Sequence, residues 1–167
     1  MFTIRPERSG DEVGIADTIE RAFGRPDEAR LVERLRADGD ATISLVAEED
    51  CAIVAHVLLS RMEAPLRALG LAPVSVAPER QRRGLGDSLI RAALDVARTA
   101  GWEAVFVLGE PVYYRRFGFE AGLAAGFDSP YAGPYLMALA LAEPLPATRG
   151  RIDYAPAFSG LTQLHDG

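Results

Sequence analysis

Val74-Ser75-Val76-Ala77-Pro78-Glu79-Arg80-Gln81-Arg82-Arg83-Gly84-Leu85-Gly86-Asp87 is the most informative segment of this chain. An apolar strand ends, a basic loop with two glycines follows, and an amphipathic helix begins. The first N–H groups of a helix lack intrahelical acceptors, and the macrodipole makes that end electropositive, so such a junction is an anion site. Gly84 and Gly86 let the main chain approach a bulky anion. Arg80, Arg82 and Arg83 add positive charge to a protein whose net charge is −6. A diphosphate is the natural guest. The plainer alternative is an ordinary strand-to-helix turn with surface arginines. The loop is neither a Walker loop nor a dinucleotide fingerprint, since Gly-Lys-Ser/Thr is absent and only Gly84-x-Gly86 occurs.

Outward from this junction, Leu69 to Ala77 reads as a strand interrupted by Pro73. A proline cannot donate to a ladder, so a bulge or an unpaired edge is expected there. Gly84 to Ala100 reads as a long helix, with Leu85, Leu89, Ala92 or Ala93 and Val96 at helical spacing and Gly101 at its end. Ala104 to Leu108 is a short buried strand, Tyr113 to Phe117 a helical turn, and Tyr135 to Ala142 a late strand. Upstream, Phe2 to Arg5 is a first strand. Ser9 and Glu12 have capping-box spacing. Val13, Ala16, Ile19, Ala22 and Phe23 then mark one helical face. A second helix over Asp27 to Arg36 turns Leu31, Val32 and Leu35 inward. Ile43 to Glu48 and Ala52 to Arg61 form a hairpin through Glu49-Asp50. The proline-rich last 25 residues read as a covering tail, with a strand near Arg151 to Tyr154. The order implies an α/β (α+β) mixed sheet with helices on both faces.

The 167 residues fit one domain, 1–167. No apolar run approaches the ~18 residues of a membrane helix. A charged N-terminus argues against a secretory signal, and the acidic balance argues against nucleic acid as the main partner. Cys51 is the sole cysteine, and His56 and His165 have no metal-ligand spacing, so no metal is expected. A reducing, cytoplasmic location fits. All 18 basic residues are arginine, which excludes a catalytic lysine.

Gln81-Arg82-Arg83-Gly84-Leu85-Gly86 resembles the Q/R-x-x-G-x-G/A signature of the GCN5-related N-acetyltransferases (GNAT), whose loop amides hold the pyrophosphate of acetyl-coenzyme A. Leu71 to Pro78 is similar to the family's bulged fourth strand. Tyr113-Tyr114-Arg115-Arg116-Phe117-Gly118-Phe119 resembles its Y-x-x-x-G-F segment, one helix and one strand further on. With the second helix from Glu28, the flavour is that of the YhbS-type branch, and the resemblance covers nearly the whole chain. It implies a mostly antiparallel sheet of six to seven strands whose fourth and fifth strands splay to admit pantetheine. The chain contains no asparagine, although many relatives carry one after the fifth strand; Gly109-Glu110-Pro111 stands there instead.

The resemblance implies acetyl transfer from acetyl-CoA to a primary amine in a ternary complex. A non-catalytic acyl-CoA-binding module and a phosphate-binding fold unrelated to CoA are the alternatives. Val74, Ser75, Val76, Gln81, Arg82, Arg83, Gly84, Leu85, Gly86 and Asp87 are the expected cofactor contacts. Val76 N–H is the expected oxyanion donor. Tyr114, four residues before Gly118, is the expected proton donor to the thiolate, with Tyr113 as a structural alternative. Glu28, His56 and Glu63 are candidate acceptor contacts, against readings as solvated carboxylates and a hydrogen-bonded strand histidine. The acceptor is unspecified, and the late strand could pair in a homodimer.

Overall fold

The computed structural model describes residues 1–161 of the protein; His165 lies outside them. The elements are β1 (Thr3–Pro6), α1 (Glu12–Phe23), α2 (Asp27–Asp38), β2 (Ala41–Glu49), β3 (Ala52–Arg61), β4 (Ala68–Val76), α3 (Leu85–Thr99), β5 (Ala104–Leu108), α4 (Pro111–Arg115), α5 (Ala121–Ala124), β6 (Phe127–Asp128), β7 (Leu136–Ala140) and β8 (Gly150–Arg151). Six strands form one sheet in the order β1-β2-β3-β4-β5-β7. Its pairings are antiparallel except the parallel β4–β5 contact. β6 and β8 form a separate parallel pair.

Strand alternation assigns the two faces of the sheet. Leu45, Ala47, Ala55, Val57 and Leu59 pack with Leu85, Leu89, Ile90 and Ala93 of α3. Val46 and Leu58 point the other way, against Ile15 and Ile19 of α1 and Leu31, Val32 and Leu35 of α2. Phe106 of β5 meets Phe127 edge to face at 5.3 Å in a third cluster. β3 is therefore buried on both faces, with His56 and Ser60 its buried polar residues.

The helical phases differ in part from the periodicity. α1 buries Ile15, Thr18 and Ile19, while Val13 is 82% exposed. Gly14 lets α1 lie against β3, since a Cβ there would stand 3.2 Å from Ile53 Cδ1. Thr18 Oγ1 then donates within reach of Ile53 O at 3.0 Å. That contact fixes the rotation of the helix and turns Val13 outward. Ser9 does not cap α1. Asp11 is the N-cap, and its carboxylate accepts from Arg5 and from Arg8 N–H. On α3, Leu85, Leu89 and Ala93 are buried as expected, but Ile90, Leu94 and Ala97 complete the face and Val96 is exposed.

Leu89 is fully buried at the centre of α3's contact with the sheet. Leu89→Ala should lower unfolding free energy by about 2–5 kcal/mol, measured by urea denaturation, because removing the buried side-chain carbons leaves a cavity in the core.

Candidate active site

The site begins where β4 and β5 stop pairing. Their parallel ladder covers Ala68↔Ala104, Leu69↔Val105 and Gly70↔Phe106 and ends there. Along β3 the register runs Leu59↔Leu71 and then Val57↔Val74, so Ala72 and Pro73 stand opposite the single residue Leu58. That extra residue is a bulge, placed at Pro73 as the sequence predicts, and a bulge bends its strand.

Beyond the bulge, hydrogen-bond parity sets which groups face the slot. Ala77 N donates to Val54 O at 2.8 Å. In an antiparallel ladder such bonded positions alternate with unbonded ones. Ser75, opposite His56, is therefore bonded to β3, whereas Val74 and Val76, opposite Val57 and Ala55, turn their N–H and C=O groups toward β5. Gln81 Nε2 donates to Val76 O at 3.1 Å. That bond occupies the Val76 carbonyl and also engages the Gln81 amide.

The loop enters α3 through two left-handed residues, Arg82 at φ 65° and Gly84 at φ 79°. Arginine in this region costs of order 1 kcal/mol, which the loop sustains. Gly84 is the N-cap and Ser88 N reaches back to it, leaving Leu85, Gly86 and Asp87 N–H in the orphan first turn. Arg82 and Arg83 are exposed and make no ion pair among the described residues, whereas Arg80 is held by Glu49. This rim bounds an open depression of about 730 Å³ that includes Val76, Tyr113 and Arg116. Unpaired main-chain donors with two free guanidinium groups fit a diphosphate.

Asp87 ties this loop to the tyrosine segment. Tyr113 donates to Asp87 Oδ1 at 2.7 Å, and Arg116 Nη1 reaches Oδ2 at 2.8 Å. Arg116 also lies over the Tyr113 ring at 4.6 Å. Burial raises the Asp87 carboxyl, but these two donors outweigh it and hold it below the usual carboxylate range. Tyr113 is thus occupied, its phenol raised by burial and by Asp87.

Tyr114 differs. Burial alone pushes its phenol up to about 12, and its hydroxyl has no hydrogen-bond partner among the described residues. The ring is fixed edge-on against Tyr113 at 4.9 Å and Phe119 at 5.8 Å. It lies flush on Gly109, where a Cβ would fall 2.2 Å from Tyr114 Cε2. Sequence reasoning noted Gly109 only as part of a departure from the family pattern. The need for a missing side chain is visible only once the ring is in place.

On the other side of the slot, Tyr114, Val74 and Leu108 line a narrow cavity of about 60 Å³ that opens to solvent. Glu28 lies in its wall, buried and paired with Arg25. The other two acceptor candidates are not brought here. His56 is wholly buried with Nε2 2.9 Å from Ser44 Oγ, which in turn donates to Glu7. Glu63 is exposed beyond Arg61↔Leu69, the closed end of the β4–β5 pair, and bridges to Asp153. Ser75 also turns away: its main chain serves β3 and its side chain is buried. No described group of three or more histidine, cysteine or acidic residues could hold a metal. No described helix is long and apolar enough to cross a membrane.

Residues 3–122 match the acetyltransferase (GNAT) domain. The chain is 39% identical to the uncharacterized N-acetyltransferase YjhQ of Escherichia coli K12 over 142 residues, 80% of this chain and 76% of that one. It is similar in structure to E. coli YhbS in complex with CoA, with a TM-score of 0.88, 32% identity, and coverage of 95% of this chain and 92% of that one. A GNAT family acetyltransferase from Brucella melitensis in complex with acetyl-CoA aligns with a TM-score of 0.80 and 36% identity over 95% of this chain and 98% of that one.

Two outcomes test the local physics. Burial pushes the His56 imidazole down to about 4 from an ordinary 6.5. The unfolded chain then binds the proton first on acidification. Its contribution is complete above pH 6.5 and is lost toward pH 4, about 3 kcal/mol in all. His56→Gln should abolish this part of the acid slope in urea titrations at pH 7 and pH 4. Gly109→Ala should force the Tyr114 ring aside and cost about 1–3 kcal/mol in the same assay.

Proposed function

The chain belongs to the GNAT acetyltransferase family, and from that premise we propose that it moves the acetyl group of acetyl-CoA directly onto a primary amine in a ternary complex. The observation that carries the proposal is the slot between β4 and β5. One end meets the unpaired donors of the α3 loop, and the other meets the buried Tyr114 phenol.

In this reading Arg82, Arg83 and the N–H groups of Gly84, Leu85, Gly86 and Asp87 hold the diphosphate. Val74 and Val76 line the pantetheine path, and Gln81 keeps the Val76 carbonyl out of it. The amine nitrogen bonds to the thioester carbonyl carbon, and negative charge develops on the oxygen. Val76 N–H faces that position, as its strand parity supports, and donates to the oxyanion. The carbon–sulfur bond then breaks with its electron pair on sulfur. Tyr114 supplies a proton to that sulfur and recovers one from solvent, balancing the proton released by the nitrogen. A phenol raised to about 12 is fully protonated at neutral pH, so it can donate. Approximation of the two reactants supplies much of the remaining rate.

Tyr114→Phe retains the ring and removes the proton. It should lower kcat about 100-fold, read as thiol release from acetyl-CoA with an amine panel. Acetyl-CoA affinity by calorimetry should change less than about twofold. Unaltered turnover would remove Tyr114 from the chemistry.

A further inference from the structure

The cavity beside Tyr114 has an unusual distribution of polarity. Phe23 and Leu31 come from the α1–α2 region, Leu71 and Pro73 from the bulge, Leu108 from β5, and Leu161 from the tail. Against these apolar walls stand two residues with polar side-chain groups, Tyr114 and Glu28. The Glu28 side chain is only 6% exposed. Arg25 Nε reaches Glu28 Oε1 at 2.9 Å and Oε2 at 3.2 Å, so the pair is fixed and net neutral. A carboxylate has about four lone-pair sites, so the pair retains capacity for one further donor.

Glu28 itself favours a protonated amine, and Arg25, which already pairs with it, offsets part of that pull, so the pair seats one amine without attracting further positive charge. The uncharged form of that amine is the nucleophile. The adjoining depression, which shares Leu31 and Leu161 with the cavity, carries Arg30 and Arg34. Both are exposed and make no ion pair among the described residues. A ligand emerging from the cavity along that wall meets two guanidinium groups and one carboxylate, that of Asp27, a balance of one positive charge. Polycationic acceptors would bring like charge there, and a second ammonium held against the leucine walls would lose hydration without a partner.

Deepening the acetyl-transfer reading on which it rests, we infer that the acceptor is a compact monoamine on an apolar body, its nitrogen seated on the Arg25–Glu28 pair, and that polyamines and basic peptides are disfavoured. Glu28 acts as an orienting acceptor of the amine hydrogen bond.

The test is turnover of acetyl-CoA by the full chain with 2-phenylethylamine and isoamylamine, against spermidine and a lysine-containing peptide. The apolar amines should exceed both cations in kcat/KM by about tenfold or more. Glu28→Gln should raise KM for the apolar amine about tenfold, change kcat by less than about threefold, and leave acetyl-CoA affinity intact. Should that variant not fold, Arg30→Glu with Arg34→Glu, both on the surface, carries the test by raising kcat/KM for spermidine about tenfold. Preference for spermidine or the peptide overturns the inference, as does an unchanged KM in Glu28→Gln. Acetyl-CoA binding without turnover of any apolar amine overturns this inference alone. Loss of acetyl-CoA binding as well removes the transfer reading beneath it.

Discussion

β4 is asked to be a partner to β3 along its length and to β5 for only three residues. Everything around the site follows from that inequality. The extra residue at Ala72–Pro73 preserves the antiparallel ladder with β3 while bending β4 off its parallel neighbour. The main-chain groups of Val74 and Val76 are then left facing a gap. Buried N–H and C=O groups without partners are costly, so a fold that opens such a gap must supply acceptors and donors for it. Gln81 supplies one, at the Val76 carbonyl. The remaining donors face the gap, where an acyl substrate can use them.

Charge is arranged to the same end. The protein is acidic overall, yet the rim of the α3 loop is locally basic. The distinction lies in which arginines are neutralised. Arg80 is committed to Glu49 and Arg21 to Glu79, whereas Arg82 and Arg83 are unpaired among the described residues. Asp87 would oppose an anion from inside the first turn of α3, but Tyr113 and Arg116 hold its carboxylate. The same contacts fasten α4 to α3, so the segment that positions Tyr114 is tied to the loop with the unpaired first-turn donors. Two neighbouring tyrosines thereby differ: Tyr113 is a strut with its hydroxyl bonded, and Tyr114 lines the cavity with a hydroxyl that has no partner among the described residues.

Much of this was legible locally. A strand-to-helix junction with Gly84-x-Gly86 and adjacent arginines carries its own chemistry, because orphan N–H groups belong to any helix start. Pro73 marked the bulge, because a missing donor is a property of the residue. The hairpin at Glu49 and the apolar runs of β2, β3 and β5 were readable for the same reason. The misread positions share a different cause. Val13 and Val96 have the composition of core residues, but the close approach at Gly14 and the packing of Ile90 and Leu94 rotated their helices away. His56 and Glu63 lie on β3 or just past it, away from the cavity, and a strand's sequence alone does not set which face or end borders a slot.

Sequence alone was enough to specify the α/β order, the glycine-containing strand-to-helix loop and the tyrosine segment, since these rest on backbone chemistry and short-range spacing. Tertiary packing assigned Glu28 rather than His56 or Glu63 to the cavity, selected Tyr114 over Tyr113 as the free phenol, and made Gly109 indispensable to the ring beside it. Those outcomes depend on strand parity, helix rotation and ångström-scale contacts between segments as distant in sequence as Phe23 and Leu161. Only the folded chain brings such segments together.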